Sequence, residues 1–196
     1  MILLEDKNQK RDAHIKKHNY WKRVGVEVIQ KYRLPVGDYV LMNEKIEDVI
    51  ARKEKRGMDV KMMDLLGTYK RVVDTKNSMA EIEMDLNGKQ YERFRDSLIL
   101  AQNNGIEFYI LIEDDGGYVD RRQTIYNKPC RSIEDVFSWK NPRLFIVSGG
   151  KQKYPRAKKG QQLAKQMLTI EKEYGCHFVF CGSYESGKTV LTILGD

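Results

Sequence analysis

Between Tyr91 and Ile112 the chain has a helix feeding a strand, and this pair constrains the fold more than any other feature. Tyr91, Phe94, Leu98 and Ala101 recur at i, i+3, i+7 and i+10, with Gly105 just past the helix end. Phe108-Tyr109-Ile110-Leu111-Ile112 follows as an uninterrupted apolar run. A one-sided helical stripe needs a flat surface to cover it, and an apolar run of strand length needs cover on both faces. Both needs are met in the centre of an α/β sheet. The same order returns near the end, where Leu163, Met167, Ile170 and Tyr174 share one helical face, Gly175 stops the helix, and His177–Cys181 is a last strand. Upstream, strands are expected at Ile2–Leu4, Val24–Ile29, Tyr39–Met42 and Tyr69–Lys76, and helices at Ala13–Arg23 and Glu44–Arg56. Ser132 can cap a short helix reaching Trp139, and Leu144–Val147 is a further short strand. This alternation predicts a three-layer α/β fold with a mixed central sheet flanked by helices.

At 196 residues the chain suits one domain, 1–196, with insertions near 43–68 and 114–156. The second insertion reads as irregular from Asp114 to Pro129. No apolar run approaches the roughly 18 residues of a membrane helix, and Met1-Ile2-Leu3-Leu4 passes straight into Glu5-Asp6, so neither a span nor a signal peptide is expected. Cys130, Cys176 and Cys181 cannot all pair and none forms a C-x-x-C, which argues against a disulfide framework or a four-thiolate zinc site. Reduced thiols in a cytoplasm are the expectation.

The charge is local. Of 35 Lys and Arg, eight fall between Val136 and Ile170, a stretch with no Asp or Glu, while the other 27 face 28 acidic residues. That stretch therefore carries the whole net charge of +7. A concentrated positive field attracts a polyanion through counterion release, although a solvated basic face looks the same in sequence.

Chemistry is suggested by two short segments. In Val72-Val73-Asp74-Thr75-Lys76, strand alternation puts Asp74 and Lys76 on one face and Thr75 on the other. Gly37-Asp38-Tyr39 sets a second carboxylate at the start of a neighbouring strand, after a glycine that permits a sharp turn. Hard cations such as Mg²⁺ take oxygen ligands, often one or two carboxylates completed by substrate phosphate and water. A lysine beside that water can orient it and offset charge building on phosphorus. Alone, D-x-K is more often an ordinary same-face ion pair.

Leu4-Glu5-Asp6, Leu34-Pro35-Val36-Gly37-Asp38-Tyr39, Val73-Asp74-Thr75-Lys76, Arg93-Phe94 and Leu111-Ile112-Glu113 together resemble the nuclease domain of the XPF family, a branch of the PD-(D/E)XK phosphodiesterases. The resemblance covers nearly the whole chain, with Phe178-Val179-Phe180-Cys181 and the short helix after it similar to that domain's last strand and helix. It implies a restriction-endonuclease-like fold that cuts DNA with Mg²⁺ or Mn²⁺. Asp38 and Asp74 would be metal ligands, with Thr75 lending its backbone carbonyl, Asp6 a further acid, and Lys76 orienting the attacking water. Asp74-Thr75-Lys76 replaces the Glu-Arg-Lys of eukaryotic and archaeal members and is similar to small bacterial and phage relatives, which implies a bacterial cell or phage-infected host. Ala80 stands where the family has an acid, and Glu81 substitutes only if the helix start is shifted. Asn8 and Gln9 replace the usual arginine and glutamate. No tandem helix-hairpin-helix region follows, so branched-DNA preference and dimerisation are not carried over, and a homodimer stays open.

Other motifs weigh less. Gly182-Ser183-Tyr184-Glu185-Ser186-Gly187-Lys188-Thr189 matches a phosphate-binding loop, but only seven residues follow Thr189, too few for the sheet such a loop serves. Ser183 and Glu185 opening a terminal helix explain the same letters, and no nucleotide cofactor is expected. His14 and His18 at i, i+4 lack a third ligand and are expected at the surface or at a cap. Trp21 and Trp139 are expected in the core. Arg93 and Arg95 flank Phe94 and could reach phosphates, and Tyr154 among Lys151, Lys153, Arg156, Lys158 and Lys159 could stack on a base. The combined expectation is a Mg²⁺- or Mn²⁺-dependent DNA endonuclease with these cations on the backbone. The alternative is a catalytically inactive DNA-binding or scaffold protein that keeps the fold.

Overall fold

A computed structural model describes residues 1–195. Six strands form the central sheet: β1 (Ile2–Glu5), β2 (Glu27–Ile29), β3 (Tyr39–Leu41), β4 (Arg71–Lys76), β5 (Glu107–Glu113) and, by chain order the tenth strand, β10 (His177–Cys181). Their spatial order is β10-β5-β4-β3-β1-β2. β4, β5 and β10 run parallel, β3 is antiparallel to both β4 and β1, and β1 is parallel to β2. The sheet is thus mixed, and β5 lies inside it as its apolar run predicts.

Pleating divides the core into two layers. Leu4, Val40, Val72, Ile110 and Ile112 face one side, where α4 (Gly88–Asn103) contributes Phe94, Leu98 and Ala101 and α6 (Gly160–Tyr174) contributes Leu163, Met167 and Ile170. Leu3, Tyr39, Val73, Leu111 and Cys181 face the other, covered by Trp21 of α1 (Ile15–Arg23) and by Val190 and Leu194 of α7 (Ser186–Gly195). Trp139 is buried with the first layer, so both tryptophans are core residues. Gly175 ends α6 in the left-handed conformation, as its position after the last apolar residue requires.

Several boundaries differ from expectation for local reasons. Gly25 takes φ +75°, closing α1 so that β2 starts only at Glu27. Leu144 is not in a strand: Pro142 opens a 3₁₀ turn, Pro142–Phe145, and the Asn141 side chain caps it by accepting from Arg143 N at 3.0 Å. The segment after β5 is not wholly irregular, for β6 (Gly117–Tyr118) and β7 (Tyr126–Asn127) form a small hairpin. A second hairpin pairs β8 (Val147–Ser148) with β9 (Lys151–Gln152). The first insertion contains α2 (Glu44–Lys55), whose N-cap is Asn43, and it buries Ile46 and Leu65 in the core. α5 (Ile133–Val136) is shorter than expected, and α3 (Met79–Asp85) is a helix that apolar periodicity did not reveal.

Candidate active site

The site begins at a close approach of backbone to strand. Gly37 has φ +67°, and a Cβ there would stand 2.3 Å from Val72 Cγ2, so only glycine fits. The turn therefore lies against β4, where Asp38 N donates to Val73 O at 2.8 Å. Asp38 Oδ2 accepts from both the backbone N–H and the hydroxyl of Thr75, each at 2.7 Å, and Oδ1 accepts from the Gln9 amide. Burial, with the charge of Asp74 added, pushes the Asp38 pKa up to about 7 against the pull of Lys76 and the Thr75 hydrogen bonds.

On the opposite face of β4, Lys76 Nζ lies 2.8 Å from Asp74 Oδ2 and 2.8 Å from Asp85 Oδ2. Burial alone would lower the lysine's pKa, but Asp74, Asp85 and Asp38 outweigh it and hold the ammonium well above its ordinary range. Asp74, Lys76, Asp85, Arg93 and Phe94 line a cleft of ≈ 340 Å³. Asp74 and Lys76 of the sequence reading thus share this cleft, while Asp38 sits across β4 on Thr75 and acts on both through its charge; the expected accessory acids are drawn elsewhere. Glu81 Oε2 accepts from Asn77 N at 2.8 Å, and Ser78 Oγ accepts from Glu81 N at 3.2 Å, so Glu81 closes the start of α3. Asp85, one turn further along the helix, stands at the lysine instead. Asp6 accepts from Asn8 N at 2.8 Å and from Leu34 N at 2.7 Å, so its carboxylate secures loop backbone.

Sequence reasoning put Glu5 at a strand edge, within Leu4-Glu5-Asp6, but gave it no part in the site. It is fully buried beside Tyr39, whose hydroxyl donates to its Oε1 at 3.0 Å, and its Oε2 has no hydrogen-bond partner among the described residues. His18 Nε2 is 3.1 Å from the same Oε1. His14 is buried rather than at the surface, hydrogen-bonded to Gln9 at 2.7 Å, and burial and then the Lys17 charge lower its pKa to about 4. Lys17 is buried in an ion pair with Glu113. Glu5, Asp38, Asp74, Asp85 and Glu113 thus stand at one rim of the sheet with two lysines, Lys17 and Lys76.

That excess of oxygen and negative charge suits a hard divalent cation. Glu5 Oε2 is a buried polar atom with no hydrogen-bond partner among the described residues, and burial followed by the Asp74 charge disfavours the ionised form of Asp38. Among the described residues no three His, Cys, Asp or Glu side chains form a ready-made metal cage. A Mg²⁺ site using one or two carboxylates, with substrate phosphate completing it, needs no such cage.

The basic stretch is fastened to the helix that carries Asp85. Glu83, buried on α3, accepts from Lys158 N at 2.8 Å and lies 3.4 Å from Arg143. Asn87 Nδ2 donates to Arg156 O at 3.1 Å. Lys158 is not a free phosphate ligand: its ammonium donates to Leu86 O and Gln166, and burial lowers its pKa. Lys151, Lys153, Arg156 and Lys159 remain exposed. Arg93 lines the cleft, whereas Arg95 does not. Tyr154 is already covered by Arg143, 4.3 Å from its ring centroid.

In the loop that matches a phosphate-binding motif, the chain's own carboxylates stand where a phosphate would. Gly182 N donates to Glu185 at 3.0 Å and Ser183 N to Asp115 at 2.9 Å. Gly187 packs against α1, and its carbonyl accepts from Trp21 Nε1 at 2.8 Å.

A six-stranded mixed sheet flanked by helices, with acids and a lysine at one rim, defines a three-layer α/β protein. No family model matches the chain, and no curated protein matches it. Among solved structures it is similar to XPF from Aeropyrum pernix in complex with DNA, at 14% identity and a TM-score of 0.52. The match covers 99% of this chain and 63% of that one. The chain therefore has the fold of XPF over somewhat less than two thirds of its neighbour's length. No helix among the described residues is long and apolar enough to cross a membrane.

Proposed function

We propose that this chain is a divalent-metal-dependent DNA endonuclease of the PD-(D/E)XK type. The observation that carries the reading is the joint placement of Asp38, Asp74 and a charged Lys76 at one strand end, on a fold shared with a DNA-bound XPF. Asp38 and Asp74, with the Thr75 carbonyl, would hold Mg²⁺ or Mn²⁺, which when bound polarises the scissile phosphate and lowers the pKa of water. Lys76 remains protonated between two carboxylates, so it does not take the proton from water. It orients the water and offsets negative charge on the phosphate as the bond breaks. Asp85 holds the ammonium from its other side. Arg93 and the exposed cations of the basic stretch hold the DNA backbone. A small bacterial or phage relative is the origin that Asp74-Thr75-Lys76 supports.

One observation favours a rival, non-catalytic DNA binder: both Asp38 oxygens already accept hydrogen bonds. Plasmid cleavage with and without Mg²⁺ separates the two. The nuclease reading expects metal-dependent nicking that falls about a thousand-fold or more in Asp74→Asn while DNA affinity is kept. DNA binding with no cleavage in either form, at any divalent metal, would establish the binder instead.

A further inference from the structure

We infer that the groove between the two inserted hairpins is a second nucleic-acid site, one that takes unpaired nucleotides. Phe145, Ile146 and Val147, leading into β8, are exposed along its floor, and Tyr118 and Tyr126 of the neighbouring β6–β7 hairpin are exposed and pack edge-on against each other, ring centroids 5.1 Å apart. Phe145 to Val147 is a run of three exposed apolar residues at 41%, 40% and 63% accessibility, an unusual surface to leave to water. The run faces Arg121 and Arg122 across a groove of ≈ 380 Å³.

The walls are fixed to one another. Asn127 Nδ2 donates to Lys140 O and Lys140 N donates to Asn127 Oδ1, both at 2.8 Å. Lys153 N donates to Ile146 O at 2.9 Å, which brings Lys153 and the end of β9 beside the apolar floor. Arg143, on the same turn as Phe145, reaches Glu83 of α3, so the groove is tied to the helix that bears Asp85.

The charges choose the occupant. The groove's one carboxylate, Asp120, is spent on its own turn, accepting from Thr124 N, Ile125 N and Thr124 Oγ1. Arg121 and Arg122 form no ion pair among the described residues. An apolar floor between unpaired cations matches a nucleobase lying flat with its phosphates to either side, and a duplex keeps its bases stacked away from such a floor. A second copy of this chain would bring the same positive face against itself. This inference rests on the nucleic-acid reading above but not on catalysis, so it is tested with metal chelated.

The test is fluorescence anisotropy of the full chain in EDTA with a labelled oligo-dT and, separately, a blunt duplex. Arg121→Ala with Arg122→Ala should weaken oligo-dT binding about ten-fold or more and reduce its salt dependence, with duplex affinity changed less than about two-fold. Phe145→Ala should weaken oligo-dT several-fold and abolish the quenching of a 2-aminopurine placed within the oligonucleotide. These side chains are exposed, and unchanged thermal unfolding confirms that the variants fold. Equal loss of duplex and oligo-dT binding, or unchanged binding of both, overturns the inference while leaving the cleavage reading intact. A Phe145→Ala variant that instead loses a concentration-dependent dimer in light scattering, with DNA affinity unchanged, overturns it in favour of an interface between copies. If the wild-type chain binds neither DNA, the nucleic-acid reading itself fails.

Discussion

Replacing Asp38 by Asn should stabilise the metal-free protein at neutral pH and do nothing for it in acid. The Asp38 carboxyl has its pKa raised from 3.8 to about 7 by burial and by Asp74. Between those values the native state binds a proton that the unfolded chain releases, so stability falls as pH rises through this window and levels off above the folded pKa. A carboxyl whose folded pKa stands about three above its unfolded one costs about 4 kcal/mol of stability once the pH exceeds both. An Asn carries no such charge and keeps the geometry: its Oδ1 can accept from Thr75, and its Nδ2 can donate to Gln9 if that amide turns over. The turned Gln9 then donates to His14, which can accept because its lowered pKa keeps it neutral. Urea unfolding with metal chelated should therefore show Asp38→Asn matching wild type near pH 4 and exceeding it by about 3–4 kcal/mol near pH 8. Adding Mg²⁺ should narrow the gap by stabilising wild type alone. A difference independent of pH, or a variant less stable throughout, would refute the reasoning, for it would mean that Thr75 and Lys76 stabilise the ionised carboxylate fully.

Four further outcomes follow from single residues. Asp85→Asn removes one of the two carboxylates on Lys76, and kcat for plasmid nicking should fall about ten-fold, with DNA affinity unchanged in a filter-binding assay. Lys158→Ala should leave the slope of log affinity against log salt unaltered and lower stability in urea by about 1–2 kcal/mol, since Gln166 Oε1 loses its donor while Leu86 O keeps the Gln166 Nε2 donor at 3.0 Å. Arg156→Ala, by contrast, should reduce the salt slope by about one. Gly37→Ala combines a left-handed backbone with a clash on Val72, and calorimetry should register a loss of about 3 kcal/mol together with lost cleavage, because the Asp38 turn must lift off β4.

What could be read from the letters was whatever repeats along an element. The stripes of α4 and α6 and the apolar runs of β5 and β10 each sample their period several times, and the structure has all four. The two-residue strands of the inserted hairpins sample it once, too little for a pattern. Asp74 and Lys76 were legible because strand alternation puts i and i+2 together. Asp85 was not, because its partner lies nine positions back across a turn. The available signal was Ser78-x-x-Glu81, a helix-start pattern that assigns Glu81 to capping and leaves the next turn's acid to face the lysine. His14 and Lys158 were missed for a common reason: polar residues in an otherwise polar segment carry no mark of burial, which tertiary contacts alone impose.

The placement of the acids follows from one strand running against its neighbours. β1, β4 and β5 all point toward the same rim, and Glu5, Lys76 and Glu113 are their last residues. β3 is antiparallel to both β1 and β4, so the turn before it, with Asp38, begins at that rim instead of ending at the other. Had β3 been parallel, the same Gly37-Asp38-Tyr39 would sit a full strand length from Thr75. Reversal of that single strand therefore gathers scattered acids at one rim, and it places Asp38 where burial first, and the charge of Asp74 second, suppress its ionisation. A sheet built for stability alone would not hold five acids against two lysines at one edge. On the nuclease reading proposed above, a cation and a polyanionic substrate would arrive together, each offsetting charge of the other's sign at this rim.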